Sequence, residues 1–178
     1  MIYLFLADGF EELEAVAPLD ILRRAGVEIQ TVGVGGKTAV GSHGIAITCD
    51  ITLDRLDAEG CRGVILPGGP GRTGLAESFG VLEMIRVCAQ HGAMLAAICG
   101  APPILGEQGY LRGKKACCYP GYEDKLLGAE VLYDPVVTDD NIITSRGAGT
   151  AVAFGLAIAA YLVSPEKARE IAAQMQCP

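Results

Sequence analysis

The chain has 178 residues, 51% of them hydrophobic, and a formal net charge of −7 at pH 7. A chain of this length is expected to form one domain over residues 1–178, burying roughly 70% of the surface of the unfolded chain. The negative charge and the scattered lysines and arginines argue against nucleic-acid binding. No apolar run reaches the roughly 20 residues that a membrane span needs, so no membrane segment is predicted.

The cysteines indicate the redox environment. Seven cysteines are present, an odd number without a CxxC pair or another metal-ligand spacing, so we expect free thiols in a reducing cytoplasm and no metal site. The segment 1–9 lacks the basic residues of a signal peptide, which also favours a cytoplasmic location.

Strand and helix patterns alternate along the chain. This alternation predicts a three-layer α/β sandwich with a mostly parallel central sheet. Ligands of such folds bind at the carboxyl ends of the strands, so the loops after Ala7, Leu66, Ile98 and Ser145 are expected to share one edge. Strands are predicted at residues 2–7, 27–34, 45–48, 63–66, 94–98 and 142–145, and helices at 11–25, 75–91, 102–108, 122–127, 149–162 and 165–175.

Cys99 directly follows the buried strand pattern 94–98. The small residues Gly100 and Ala101 and then Pro102 favour a tight turn into a helix, which is the arrangement of a nucleophile elbow with sulfur in place of a serine oxygen. Backbone N–H groups at the start of that helix would favour the thiolate. The alternative is an inert core thiol, because cysteine is among the most buried residue types.

The first loop carries acidic residues where a dinucleotide phosphate would bind, which disfavours a nucleotide site. Most of these acids are explained by the dipole of the following helix. Glu14 differs, because Pro18 cannot donate to its carbonyl, and we expect the helix to be bent or interrupted there. Glu14 is the best candidate for a raised carboxyl pKa, and in its protonated form it would donate a hydrogen bond to a Cys99 thiolate.

The loop after Leu66 is rich in glycine but has the wrong spacing for a P-loop. It is either an ordinary turn or a site where backbone N–H groups approach a reacting oxygen. In the second interpretation, the amides of Gly69 and Gly100 form an oxyanion hole beside Cys99.

Four segments together resemble the ThiJ/PfpI superfamily, closest to the bacterial-type members of the branch of the parkinsonism-associated protein deglycase. They occur in the family's order between about residues 2 and 162. The resemblance implies a flavodoxin-like sandwich, usually a homodimer, with Cys99 as the reactive cysteine and Glu14 as its carboxyl partner. The segments are Asp8-Gly-Phe-Glu-Glu-Leu-Glu, Leu66-Pro-Gly-Gly, Ala96-Ala-Ile-Cys-Gly-Ala-Pro and Thr144-Ser-Arg-Gly-Ala-Gly-Thr.

The resemblance also implies further site residues. Gly69 and Gly100 match positions whose amides line the family's site, and Gly68 is grouped with them as an oxyanion-binding or substrate-binding residue. Arg146 is expected to bind substrate. Two more arginines, Arg23 and Arg24, match family positions near the site, although cations at the end of a helix are favourable in any case.

One departure concerns histidine. Some members of the family carry histidine before a proline in the segment after the elbow helix, where this chain has Tyr119. His91 precedes the central strand and is expected at the opposite end of the sheet. A cysteine–histidine–acid triad would therefore need His43, either from the same chain or from a partner subunit. The alternative is that His43 is an ordinary solvated loop histidine, and peptide or amide hydrolysis is disfavoured.

Three functions remain open. The first is cofactor-free processing of reactive aldehydes or of glycated thiols and amines, similar to a glyoxalase III-type lyase or a protein deglycase, with Cys99 as nucleophile and Glu14 as proton shuttle. The second is an oxidative-stress sensor or redox-regulated chaperone acting through oxidation of Cys99, with Cys117 and Cys118 as resolving thiols or, alternatively, as core residues. The third is a dimeric scaffold in which Cys99 is inert.

Overall fold

The computed structural model describes residues 1–177, and its centre is a seven-stranded sheet. Six of the strands are parallel, and one edge strand runs antiparallel to its neighbour. The central strands are continuous apolar runs because helices cover both faces of the sheet. Two separate clusters of buried side chains, one on each face, form the core. The predicted flavodoxin-like α/β sandwich with a mostly parallel sheet is confirmed.

The strands and helices have the following bounds. The main sheet has the order β10-β11-β7-β6-β1-β2-β5. The strands are β1 (Ile2–Leu6), β2 (Ile29–Gly33), β3 (Thr38–Val40), β4 (Ala46–Thr48), β5 (Ile51–Thr52), β6 (Gly63–Leu66), β7 (Met94–Ile98), β8 (Lys115–Ala116), β9 (Glu130–Val131), β10 (Val136–Asp139) and β11 (Ile142–Ser145). The helices are α1 (Glu12–Arg24), α2 (Arg72–Glu77), α3 (Phe79–Gln90), α4 (Pro102–Glu107), α5 (Ala151–Leu162) and α6 (Pro165–Gln174).

The predicted elements differ from the observed ones in several places, and the short strands β3, β5, β8 and β9 have no predicted counterpart. The helix predicted at 75–91 is divided into α2 and α3 at Ser78, whose extended backbone ends α2 and whose hydroxyl caps α3. The helix predicted at 122–127 is only a 3-10 turn, Glu123–Lys125. The strand predicted at 45–48 pairs with β3 in a separate hairpin instead of joining the main sheet. The edge strand β10 was not predicted.

Helix α1 is not interrupted at Pro18. The helix runs continuously from Glu12 to Arg24 with the proline inside it. It packs closely against α5 at this point, because a methyl group on Gly155 would lie 2.9 Å from the Cα of Pro18 and 2.8 Å from the Cδ1 of Ile21. Tertiary packing therefore holds the helix together where proline removes one backbone hydrogen bond.

The parallel pairing places the four loops named above at one edge of the sheet. The adjacent strands β1, β6, β7 and β11 are parallel in register, so their carboxyl ends meet. His91 instead borders a cavity beside Met94, the first residue of β7. The prediction that this histidine lies at the opposite end of the sheet is confirmed. Within residues 1–177, every helix is too short or too polar to cross a bilayer.

Candidate functional site

Cys99 occupies the sharp turn between β7 and α4. Its backbone φ of +64° is in the left-handed region, which residues other than glycine rarely adopt. Two hydrogen bonds hold the turn: the Cys99 N–H donates to the carbonyl of Ser145, and the Cys99 carbonyl accepts from the N–H of Tyr119. The strand–turn–helix arrangement predicted for a nucleophile elbow is therefore present, with the thiol half-buried.

The first loop and the glycine-rich loop meet beside this turn. The N–H of Gly68 donates a 2.7 Å hydrogen bond to Oε2 of Glu14, and the N–H of Glu11 donates to the Gly68 carbonyl. A methyl group on Gly68 would lie 2.8 Å from both the Cβ of Cys99 and Oε2 of Glu14. Gly68 therefore allows the carboxyl and the cysteine to approach each other, and its amide is occupied by Glu14. The predicted role of Gly68 in oxyanion or substrate binding stays a prediction.

Two other amides face the sulfur of Cys99. Hydrogen bonding by the backbone N–H groups of Gly100 and Gly69 lowers the pKa of the thiol. Gly69 has a φ of +82°, and a side chain there would lie 2.6 Å from the Gly9 carbonyl oxygen. Both amides therefore face the sulfur, and their predicted role as an oxyanion hole stays a prediction.

Glu14 is fully buried, with 0% of its surface exposed. Its Oε1 atom has no hydrogen-bond partner among the described residues. Burial raises the pKa of the Glu14 carboxyl to about 7, with a smaller contribution from the charge of Glu11, while hydrogen bonds from Gly68 and the Cys99 side chain lower it. A carboxyl in this state can accept and release protons near neutral pH.

The same surroundings oppose formation of the thiolate. Burial first, and then the charge and hydrogen bonding of Glu14, raise the pKa of the Cys99 thiol to about 12, and these effects outweigh the Gly100 and Gly69 amides. The expectation that the turn alone would favour a thiolate is therefore incomplete. A protonated Glu14 removes the opposing charge, so the ionisation of Cys99 is coupled to that of Glu14.

A cavity of about 400 Å³ opens onto Cys99. Arg72, which the sequence analysis did not single out, is the one permanently charged side chain among its lining residues, and it donates a 2.8 Å hydrogen bond to the hydroxyl of Tyr122. One signal was available: Arg72 is the first charged residue after the glycine-rich segment. The lining residues are Gly69, Pro70, Arg72, Cys99, Gly100, Tyr119 and Tyr122.

His43 is not among the residues that line this cavity. Its Nδ1 lies 2.8 Å from Oε2 of Glu12, and its backbone N–H donates to Oε1 of the same residue. Hydrogen bonds and the charge of Glu12 raise the pKa of His43, and the contacts with His43 lower the pKa of Glu12 to about 2 despite its burial. With Glu11, these residues place one potential metal-ligating atom each within 4.8 Å of one another. Within one chain, His43 is therefore hydrogen-bonded to Glu12. Its predicted role as a residue supplied by a partner subunit stays a prediction.

The three arginines indicated by the resemblance lie outside the Cys99 cavity. Arg146 borders a neighbouring cavity of about 410 Å³, which shares Tyr119 with the first, and its side chain donates to the Tyr133 carbonyl. Arg23 forms a salt bridge with Asp50, and Arg24 pairs with Asp20. Arg146 therefore does not line the Cys99 cavity, and its predicted substrate contact stays a prediction.

The other cysteines differ from Cys99 in exposure. Cys117 and Cys118 are buried, with 0% and 4% of their surfaces exposed, which fits the interpretation of both as core residues. Apart from Cys99, only Cys177 among the described cysteines is partly exposed. Cys99 is thus the one cysteine that combines partial exposure with a neighbouring carboxyl and two facing amides.

Fold and site together define a class: an α/β protein with a cysteine on a nucleophile elbow, at the carboxyl edge of a parallel sheet, paired with a buried glutamate. The model of the DJ-1/PfpI family matches residues 1–161. The chain belongs to this family.

Relatives and a solved structure agree with this assignment. A glutathione-independent glyoxalase of Caenorhabditis elegans is 32% identical over 163 residues, covering 90% of this chain and 87% of its own. A deglycase of Pyrococcus horikoshii is 35% identical over 148 residues, covering 80% of this chain and 88% of its own. The oxidized DJ-1 of Toxoplasma gondii has the same fold, with a TM-score of 0.94 at 31% identity over 98% of this chain and 97% of its own.

Proposed function

We propose that this chain is a cysteine-dependent enzyme that converts reactive α-oxoaldehydes to hydroxy acids without glutathione, with methylglyoxal to lactate as the reference reaction. The observation that carries the proposal is Glu14, a fully buried carboxyl beside the Cys99 thiol, whose Oε1 atom has no hydrogen-bond partner within residues 1–177. The two relatives named as a glutathione-independent glyoxalase and a deglycase support this chemical class.

The first step is addition of sulfur to the aldehyde carbon. The thiol proton passes to Glu14, whose pKa of about 7 allows it to hold a proton at neutral pH. A carbon–sulfur bond forms, and the carbonyl oxygen takes the proton back from Glu14 to become the hydroxyl of a hemithioacetal, which leaves Glu14 as a carboxylate for the next step. The amides of Gly69 and Gly100 stabilise the negative charge that develops on this oxygen.

The second step is an internal oxidation and reduction. Glu14 removes the proton from the former aldehyde carbon, giving an enediol, and returns a proton to the adjacent carbon. The aldehyde carbon is thereby oxidised to a thioester and the ketone carbon is reduced to an alcohol, with no external oxidant or reductant. Water then cleaves the carbon–sulfur bond, which releases lactate and restores the Cys99 thiol. A glycated thiol or amine would enter the same sequence after releasing its aldehyde.

The direct test is lactate formation from methylglyoxal under reducing conditions without glutathione. We expect turnover in the wild-type protein, loss of at least a thousandfold in Cys99→Ala, and a similar loss in Glu14→Gln while Cys99 still reacts with iodoacetamide. Cys177→Ala, which removes the other partly exposed thiol, is the matched control and should retain wild-type activity. Turnover by Glu14→Gln would refute the proton-shuttle role.

Oxidation sensing through Cys99 is the second candidate function. It is favoured by the half-buried position of this thiol beside a carboxyl that could hydrogen-bond an oxidised sulfur. Stoichiometric peroxide separates the two functions. An enzyme loses aldehyde turnover when Cys99 is oxidised, whereas a sensor or redox-regulated chaperone gains its activity, measured as suppression of client aggregation.

We further propose a homodimer formed through α1 and the β3–β4 hairpin. These neighbouring elements, joined by the hydrogen bonds of Glu12 to the hairpin, leave apolar side chains in water: Leu13 is 59% exposed, Val16 44% and Ile45 57%. Sedimentation should give twice the chain mass for the wild type and a monomer for Leu13→Lys. A monomeric wild type would overturn this proposal.

A further inference from the structure

Arg72 packs closely over Gly100, the residue that follows the reacting cysteine, because Gly100 has no side chain. A methyl group on Gly100 would lie 2.6 Å from Cδ and 2.8 Å from Nε of Arg72, so the arginine stem passes over the residue whose amide faces Cys99. This approach is possible only because residue 100 is glycine. Arg72 and Cys99 therefore line one cavity.

The guanidinium is held in position without a charged partner. It donates 2.8 Å to the Tyr122 hydroxyl, and its Cζ lies 4.9 Å from the centroid of the same ring. Within residues 1–177 it forms no salt bridge with a carboxylate, unlike Arg23, Arg24, Arg86 and Arg169. A half-buried, oriented guanidinium with remaining free donors is suited to bind an anion.

We propose that Arg72 binds a carboxylate on the substrate, and that this protein acts on α-oxoaldehydes that carry a carboxylate on the same molecule. The proposal rests on the proposed function for the identity of the reaction. A carboxylate fits because a single guanidinium offers two parallel N–H donors to a singly charged group. Arg72 and Cys99 both line the cavity of about 400 Å³, so an anion bound by Arg72 would share this cavity with the reacting thiol.

The reaction of such a substrate balances in the same way as that of methylglyoxal. For 4,5-dioxopentanoate, Cys99 adds to the aldehyde carbon, that carbon is oxidised to the thioester, and the neighbouring ketone is reduced to an alcohol. Water cleaves the thioester, so the net change is addition of one water to give 2-hydroxyglutarate and a proton. The remote carboxylate takes no part in these steps and only binds Arg72.

The first experiment requires no turnover. Iodoacetate and iodoacetamide are similar in size and alkylate the same thiol, but only iodoacetate carries a carboxylate. We expect Arg72→Gln to lower the ratio of the iodoacetate rate to the iodoacetamide rate at Cys99 by roughly threefold to tenfold. A change in the ionisation of Cys99 would alter the rates of both reagents equally, so it cancels in the ratio. All rates are measured in a Cys177→Ala background, because this substitution removes the other partly exposed thiol.

Two variants control for charge and for structure. Arg62→Gln changes the net charge equally but lies beside Met94, at the start of β7, and should leave the ratio unchanged. Arg72→Lys keeps the charge without the planar fork and should restore part of the ratio. If the ratio in Arg72→Gln is unchanged, whether or not both rates fall, the proposal is overturned.

The second experiment compares kcat/KM for 4,5-dioxopentanoate and methylglyoxal. We expect Arg72→Gln to reduce the preference for the carboxylated aldehyde about tenfold or more, mainly through KM. If the wild type turns over methylglyoxal and the preference does not change, the anion-binding role fails and the proposed function stands. If neither aldehyde is turned over but the alkylation ratio falls, the proposed function fails and the anion-binding role stands.

Discussion

The amide of Gly68 donates a 2.7 Å hydrogen bond to the buried carboxyl of Glu14, although the two residues are 54 positions apart in the chain. This bond joins the loop after β6 to the first turns of α1 and fixes one carboxyl oxygen. Within residues 1–177, the other oxygen has no hydrogen-bond partner. The properties of the pair Glu14 and Cys99 therefore depend on a backbone group that belongs to neither residue.

Gly68→Ala is expected to disturb this junction directly. The added methyl group would lie 2.8 Å from the Cβ of Cys99 and 3.0 Å from the N–H nitrogen of Gly100. We expect a loss of at least tenfold in kcat/KM for methylglyoxal and a decrease of about 1–3 kcal/mol in the free energy of unfolding. Gly35→Ala, where an added methyl group meets nothing within 4 Å, is the control. Unchanged activity in Gly68→Ala would mean that the site tolerates displacement of the carboxyl.

Glu14 is expected to make stability depend on pH. Its pKa is raised from 4.5 to about 7 in the folded state, so the folded protein holds a proton that the unfolded chain releases. The stabilisation is fully present below pH 4.5 and is lost as the pH rises through about 7. The full shift corresponds to about 3 kcal/mol. Glu14→Gln should remove this dependence, so urea unfolding at pH 5 and pH 8 should differ more for the wild type than for the variant.

Glu14→Gln is also expected to make Cys99 more acidic. The charge and hydrogen bonding of Glu14 contribute to the pKa of about 12 at Cys99, whereas the Gly69 and Gly100 amides oppose it and remain in the variant. Iodoacetamide should therefore alkylate Cys99 at least threefold faster in Glu14→Gln than in the wild type at about pH 8. Peptide mapping after timed quenching separates Cys99 from Cys177. A slower reaction in the variant would show that Glu14 assists thiolate formation as an ionised base.

His43 is expected to titrate above its ordinary value of about 6.5, because Glu12 accepts a hydrogen bond from its ring and stabilises the charged form. Following the imidazole resonances by NMR across pH checks this directly. Glu12→Gln should return the pKa of His43 toward its ordinary value. An identical titration in both proteins would place His43 away from Glu12 in solution.

The arrangement of the sheet could be predicted from local sequence where strands are buried on both faces. The predicted strands 63–66, 94–98 and 142–145 coincide with β6, β7 and β11, and every residue in them is buried. Runs of four or five residues that carry buried apolar side chains are too short for a typical helix and are consistent with strands covered on both faces. The short strands β5, β8 and β9 have two residues each. Such strands are defined by their pairing partners, so no local pattern predicts them.

The site was predictable in its parts but not in its contacts. Local sequence indicated the elbow at Cys99 and a raised carboxyl pKa at Glu14, because turn geometry and neighbouring residue types act over a few positions. Which amide would bind Glu14 and where Arg146 would point could not be predicted, because side-chain directions depend on packing between distant segments.

By itself, the sequence determined the layered α/β fold, the edge of the sheet that carries the site and the cysteine at its centre. Each of these follows from hydrophobic periodicity and turn chemistry within a short stretch of chain. Only the tertiary structure decided that the Gly68 amide donates a hydrogen bond to Glu14 and that His43 pairs with Glu12. It also decided that the side chain of Arg72 packs over Gly100 at the cavity. These contacts join segments far apart in sequence, and their energies depend on burial and distance, which exist only once the chain has folded.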